Sequence, residues 1–456
     1  MATESHHSRR TFIGFGLAAT TGYATRARAQ APKEKLNIGI IGAGGRGGAN
    51  TGGVRKHANI YALCDINGKT LEGAKAKFPG AKTTTDWREV VSDPAIDAVV
   101  VSTADHHHAP ASIAAMRAGK HVYSEKPLAH TVQEARWMQD EYKKRKGKIA
   151  TQMGTQIHAT GNYRKAVSLV QDGAVGQVKQ AHIWCGRTIR PVGQAVLPEQ
   201  PDPKGFDWDV WLGPAADRPY NEGYWKGGNL NWNRRWEFGN GVLGDMGSHL
   251  IDLPYWALGL ERPFSVKAEG TPADDVAAPP SQIITWKHPA RKDFFKTPTA
   301  PDQRAPVEVI WYHGPDGMKT MAERLQPLLG DATKISKWHI GVAFVGENGT
   351  LVSDYGKIVQ KHNDGAKGGL WRKATEIAPS AGHYKEWINA CGGGEESLCN
   401  FDYSGQLIEH NLLGNLAHRA ALGKELKWDA EAFKITNDDG ANALLSKTYR
   451  KGWEIG

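Results

Sequence analysis

The stretch that most narrows what this chain can fold into is residues 35–41, an apolar run of strand length that leads straight into Gly42-Ala43-Gly44-Gly45-Arg46-Gly47. A strand ending in G-x-G-x-x-G and running into a helix opens a parallel βαβ unit. The first glycine allows the tight turn, the second lets the backbone approach a pyrophosphate, and the third lets the helix pack closely on the strand. Free N–H groups at the helix start then face the phosphates. Gly42, Gly44, Gly45, Arg46 and Gly47 are the first nucleotide-binding candidates. In a chain with 53 glycines such a loop also arises by accident, so its weight depends on the strands beyond it.

Those strands are consistent with it. A second apolar strand, residues 60–64, ends in Asp65. That is about 20 residues past the loop, where a carboxylate accepts hydrogen bonds from the adenosine ribose. No Arg or Ser stands there to welcome a 2′-phosphate, so NAD is expected rather than NADP. Residues 96–103 form a continuous apolar strand of the kind buried on both faces, and it opens into Ala104-Asp105-His106-His107-His108. Three adjacent histidines cannot converge on one ion and no carboxylate cluster accompanies them, so no metal site is expected. Ligands bind at the carboxyl ends of parallel strands, which places Thr103 with His106 or His108 near the nicotinamide. A helix over 109–118 and a short strand over 121–124 then deliver Glu125-Lys126-Pro127. A helix over 131–146 and a strand over 148–152 close a doubly wound domain, expected over residues 30–157.

At 456 residues there is room for a second cored domain, expected over 158–390. Residues 151–156, ending in Gln156, cross into it, and a helix over 163–171 places Arg164 toward the cleft. Residues 178–187, 264–268, 282–287, 307–312 and 340–345 read as strands, the last followed by a hairpin turn and a further strand, while 289–306 and 315–338 read as loops. Between 188 and 238 lies an irregular insertion dense in aromatic residues, among them Trp208, Trp211, Trp225, Trp232 and Trp236, with Arg234 and Arg235 interleaved. An irregular stretch of this length points to function. Most of its rings are expected to plug the loop into the core, and Trp232, Arg235 and Trp236 are the candidates for stacking on and hydrogen bonding a sugar. A helix over 244–258 sets Asp245 and His249 one turn apart on one face. A histidine beside a carboxylate can move a proton to or from a hydroxyl. A helix over 383–390 and a long amphipathic helix over 403–422 complete the pattern.

The first 29 residues read as an export label. Ser8-Arg9-Arg10-Thr11-Phe12-Ile13 resembles the twin-arginine motif, followed by a weakly apolar stretch and an Ala27-Arg28-Ala29 cleavage pattern. The expectation is export by the twin-arginine machinery to a periplasm, with no stable membrane span, the apolar run being too short. Export permits a disulfide, and Cys391 with Cys399 is the sequence-local candidate. The net charge of +9 is spread without a basic run, so nucleic acid binding is not indicated.

Taken together, the glycine loop, Asp65, Glu125-Lys126-Pro127 and Asp245-Met246-Gly247-Ser248-His249 resemble the Gfo/Idh/MocA oxidoreductase family across essentially the whole mature chain. The resemblance implies a Rossmann domain followed by an α/β domain with a large open, mainly antiparallel sheet. It also implies that residues 391–456, a C-terminal helical segment, pack back on the first domain, and that the open sheet packs on a second copy as a homo-oligomer. It gives the chemistry to Lys126, Asp245 and His249, with Lys126 and His249 exchangeable as proton acceptor and oxyanion stabiliser. The expected activity is NAD-dependent oxidation of a secondary hydroxyl of a sugar, glycoside or polyol with a retained nucleotide. The alternatives are an NAD-dependent glycoside hydrolase working by transient oxidation and elimination, and a non-catalytic NAD- and sugar-binding module.

Overall fold

The computed structural model describes residues 35–292, 303–330, 333–363 and 377–455. The export label expected over 1–29 lies outside the described residues. Apolar runs with nothing polar on either side need cover on both faces, and here they form a six-stranded sheet. Its strands are β1 (Asn37–Ile41), β2 (Asn59–Cys64), β3 (Lys82–Thr84), β4 (Ala98–Val101), β5 (His121–Ser124) and β6 (Thr151–Met153), in the order β3-β2-β1-β4-β5-β6. Every neighbouring pair is parallel. Because the chain leaves β1 first toward β2 and later toward β4, a crevice opens above their carboxyl ends.

The second sheet is built from β7 (Val178–Cys185), β8 (Ser265–Gly270), β9 (Gln282–His288), β12 (Val307–His313), β13 (Ile340–Gly346), β14 (Gly349–Ser353), β15 (Ile358–His362), β16 (Glu425–Asp429) and β17 (Lys434–Ile435), while β10 (Arg291–Lys292) and β11 (Gln303–Arg304) pair apart from it. The order is β15-β14-β13-β7-β12-β9-β8-β16-β17, with β7 and β12 parallel and the other neighbours antiparallel. Alternation along β12 turns Val307, Val309 and Trp311 to one face and Ile310 and Tyr312 to the other.

The structure corrects several expectations. The supposed loop 315–338 contains a helix, Gly314–Leu329, whose Met321, Leu325 and Leu329 pack on the outer face of the sheet. The helix Phe401–Ala421 is buried around most of its circumference rather than amphipathic, because it lies between the second sheet and the helix Val132–Lys143 of the first domain. Its buried Glu409 is held by Arg136 and Arg262 at 2.8 Å each. The C-terminal segment 391–456 does pack back on the first domain, but it is not purely helical, since β16 and β17 extend the second sheet. The helix His383–Cys391, assigned from sequence to the substrate domain, sits on the first one: Trp387 shares a core with Tyr123, and Tyr384 Oη donates to Asn50 Oδ1 at 2.7 Å. All four cysteines are free thiols, so the 391–399 pairing is not formed.

Candidate active site

A cleft of ≈ 770 Å³ opens above the carboxyl ends of β1, β2, β4 and β5. Of the nucleotide-binding candidates read from the sequence, Gly42, Gly44, Gly45, Arg46, Asp65, Thr103, Glu125 and Lys126 line it. The glycine loop is sterically committed. At Gly42 φ is +83°, and a Cβ there would meet Ser102 O at 2.6 Å. At Gly47 a Cβ would meet Gly42 O at 1.7 Å, so this third glycine does not line the cleft but lets the helix Gly45–Val54 close on β1. Asp65 Oδ2 accepts from the N–H groups of Ala43 (2.9 Å) and Gly44 (3.1 Å), tying the loop to the end of β2. Burial raises its carboxyl above the ordinary aspartate value. Three lining side chains, Trp87, His107 and Trp225, carry a buried nitrogen with no hydrogen-bond partner in the protein. A pocket of this size with a side-chain-free phosphate cradle, a strand-end carboxylate and spare polar atoms fits a dinucleotide.

At the other end of the cleft, β5 delivers Glu125 and Lys126. Glu125 is a buried anchor: its Oε1 accepts from Arg46 Nε (3.1 Å), Asn50 Nδ2 (3.0 Å) and Gln156 Nε2 (2.9 Å). Burial alone would raise its carboxyl, but Arg46 and Lys126 outweigh it and hold it below the usual range. Lys126 Nζ donates to Asp245 Oδ1, and Arg187 Nη1 donates to Asp245 Oδ2. Asp245 is likewise held low by these two cations against the opposing effect of burial. Asp105, also buried in the cleft wall and bonded by Asn240 Nδ2 at 3.2 Å, is pushed well up by burial. Two carboxyls with opposite shifts thus share one cleft, a pattern found where acid and base work is divided.

His249 departs from expectation in one respect. The local helix is not regular: a π-helical turn, Leu243–Gly247, carries Asp245, and His249 follows in a short α-helical turn, Ser248–Leu250. Both Asp245 oxygens are occupied by Lys126 and Arg187, so the expected Asp245–His249 support is replaced by a Lys126–Asp245–Arg187 cluster. His249 does not line the cleft, its Nδ1 has no partner, and burial with the nearby Lys126 charge pushes it down to about 4. It is therefore a neutral imidazole at ordinary pH.

Several other candidates are placed elsewhere. His106 has Trp211 O at 2.9 Å and Phe238 O at 3.3 Å on its two ring nitrogens, and His108 has Pro127 O at 2.6 Å and Thr103 O at 3.1 Å. Both brace the loop, and the middle histidine, His107, is the one that lines the cleft. Gln156, which the sequence offers as a substrate-binding candidate, donates to Glu125 Oε1 and Tyr123 Oη at 2.9 Å each and does not line the cleft. Arg164 is spent on Glu386 (2.8 Å) and Ala378 O (2.6 Å), and Arg235 on Gln194 O (2.8 Å) and Ala195 O (3.1 Å). Trp236 donates to Asp274 O at 2.9 Å and opens on a separate cavity, while Trp232 does line the cleft. Arg187, two residues past β7, belongs to no recognisable motif; its position at a strand end facing the first domain is the one signal that the sequence holds for it.

Residues 36–153 match the family model described as Gfo/Idh/MocA oxidoreductase family, NAD-binding Rossmann fold, and residues 168–292 match the C-terminal α/β domain model of that family. A levoglucosan dehydrogenase of Pseudarthrobacter phenanthrenivorans is 27% identical over 244 residues, 50% of this chain and 52% of that one. A myo-inositol 2-dehydrogenase of Thermotoga maritima is 31% identical over 144 residues, 31% of this chain and 42% of that one. The chain thus spans about half the length, or less, of these relatives. Among solved structures, the WlbA dehydrogenase of Bordetella pertussis in complex with NADH and UDP-GlcNAcA superposes with a TM-score of 0.58 at 18% identity, over 87% of this chain and 99% of that one. A levoglucosan dehydrogenase in complex with NADH and levoglucosan gives 0.52 at 19% identity, over 86% and 99%. At these identities the structural matches establish the shared fold.

Proposed function

From the premise that this chain belongs to the NAD-binding Gfo/Idh/MocA oxidoreductase family, we propose that it oxidises a secondary hydroxyl of a sugar, glycoside or polyol. The observation that carries this reading is the Lys126–Asp245–Arg187 cluster at the end of β5, in the same cleft as the glycine cradle and Asp65. The likeness to proteins named as levoglucosan and inositol dehydrogenases supports the substrate class. When bound, NAD supplies the acceptor for the hydride that leaves the carbinol carbon. Lys126 meets the carbinol oxygen and stabilises it as it gains alkoxide and then carbonyl character. Asp245, fixed by Arg187, orients the Lys126 ammonium. The hydroxyl proton leaves by way of Lys126, which touches the carbinol oxygen and passes a proton on to His249, a neutral imidazole near Lys126 but outside the cleft lining.

The sequence of residues 8–29 supports a periplasmic location reached by twin-arginine export. A compartment without a free nucleotide pool favours an enzyme that keeps its NAD and restores it within each cycle. The test is Lys126→Met, assayed on a panel of glycosides and polyols with nucleotide content measured in parallel. The expected result is unchanged bound NAD with turnover reduced about 10²–10³-fold, the scale of losing one oxyanion-stabilising donor. A variant with full turnover would remove Lys126 from the mechanism. Release of free aglycone instead of a keto product would assign the site to glycoside hydrolysis.

A further inference from the structure

The aromatic insertion does not spread along the sugar end of the cleft. Its middle is tied to the turn after β2, which carries Asp65. Gly68 N donates to Gly205 O at 2.7 Å, Asp207 N donates to Ile66 O at 3.0 Å, and between these Phe206 forms a β-bridge with Asn67. Phe206 is thereby fixed beside the turn that carries the strand-end carboxylate, at the opposite end of the cleft from Lys126. Trp225 stacks on it, with ring centroids 4.4 Å apart and planes at 25°. Both rings line the cleft together with Asp65, Asn67 and Thr70, and the buried Trp225 Nε1 has no partner in the protein. Behind them Trp208, Trp211, Tyr220, Tyr224 and Phe238 form a small core that stiffens the insertion.

We propose that Phe206 and Trp225 form the outer wall of the adenosine half of the NAD site and slow nucleotide release, so that the insertion works as a strap over a resident cofactor. A planar apolar pair suits the face of an adenine ring. The strap deepens the retained-nucleotide reading of the site and rests on it.

The experiment uses the full chain loaded with radiolabelled NAD and chased with excess unlabelled NAD, following label retained on the protein, with no sugar present. Phe206→Ala and Trp225→Ala are expected to release label at least about tenfold faster than the parent, in keeping with the loss of one aromatic stack on a base. Trp225→Phe, which keeps a ring face, is expected to restore slow release and so separates stacking from a folding defect, which circular dichroism of each variant also checks. Release rates within about twofold of the parent in both alanine variants would overturn the strap. A parent that retains NAD beside such unaffected variants would leave the retained-nucleotide reading intact and discard only its assignment to these two rings.

Discussion

Asp245 stands with one negative charge between two cations, and its carboxylate holds Lys126 where the cleft needs it. Arg187 is the half-exposed partner of that pair, and its planar fork offers donors that an ammonium cannot reproduce. Arg187→Met should lower kcat/KM by roughly tenfold to a hundredfold, the ~1.5–3 kcal/mol typical of a hydrogen bond to a charged group, with bound NAD unchanged. Arg187→Lys should rescue little of it. Steady-state kinetics beside nucleotide quantification checks this, and full activity in Arg187→Met would remove it from the site. Lys126, Glu125, Asp65 and the glycines were legible because each follows the end of a parallel strand, where geometry leaves little choice. The arginines were not. Arg164, Arg235 and Arg187 carry the same chemistry in sequence, and only the fold reveals that two of them are spent on structural partners within the protein while the third turns to Asp245.

Elements buried on both faces announced themselves as continuous apolar runs, which is why the first sheet was legible almost strand by strand. The helix Gly314–Leu329 was not, since it buries one stripe at four-residue spacing and contains Pro315, Gly317 and Pro327. The helix Phe401–Ala421 is legible in the sequence but its surroundings are not, because a helix wedged between two domains needs small residues as well as apolar ones. Gly414 is such a position: a Cβ there would meet Trp286 Cζ2 at 2.5 Å and Leu243 Cδ2 at 3.0 Å. Gly→Ala within a helix normally stabilises by about 0.5–1 kcal/mol, whereas forcing a methyl into a packed contact costs about 1–3 kcal/mol. The packing effect is the larger, so Gly414→Ala should destabilise by about 1–2 kcal/mol. Gly73, exposed in the helix Gly68–Lys77 with nothing within 4 Å of a built Cβ, has only the first effect, and Gly73→Ala should stabilise by about 0.5 kcal/mol. Urea denaturation of both variants compares the two signs directly, and equal shifts would mean that the helix is not seated as tightly as the distances state.

At the scale of the whole molecule, a set of buried histidines is packed as neutral groups. Burial pushes His107, His182, His313 and His418 down to about 4 and His383 and His410 to about 3. They are spread over both domains and the seam between them. His313 shows why protonation is resisted: its Nδ1 already accepts from Trp311 Nε1 at 2.9 Å, and a second proton would set two donors against each other. The folded values lie below the unfolded value of about 6.5, so each group contributes stability that is complete above that pH. As pH falls, the unfolded chain takes up protons that the native protein refuses, and stability declines until the folded values are reached. Each such group removes up to ~1.4 kcal/mol per pH unit. Several acting together would exhaust the ~5–15 kcal/mol that holds a typical domain before pH 4 is reached. The expected outcome is a thermal midpoint steady near pH 7–8 that drops steeply below about pH 6, with acid unfolding near pH 5. Circular dichroism melts across pH 8 to 4 measure it, and a midpoint unchanged down to pH 4 would show that these imidazoles are accessible to protons in the native fold.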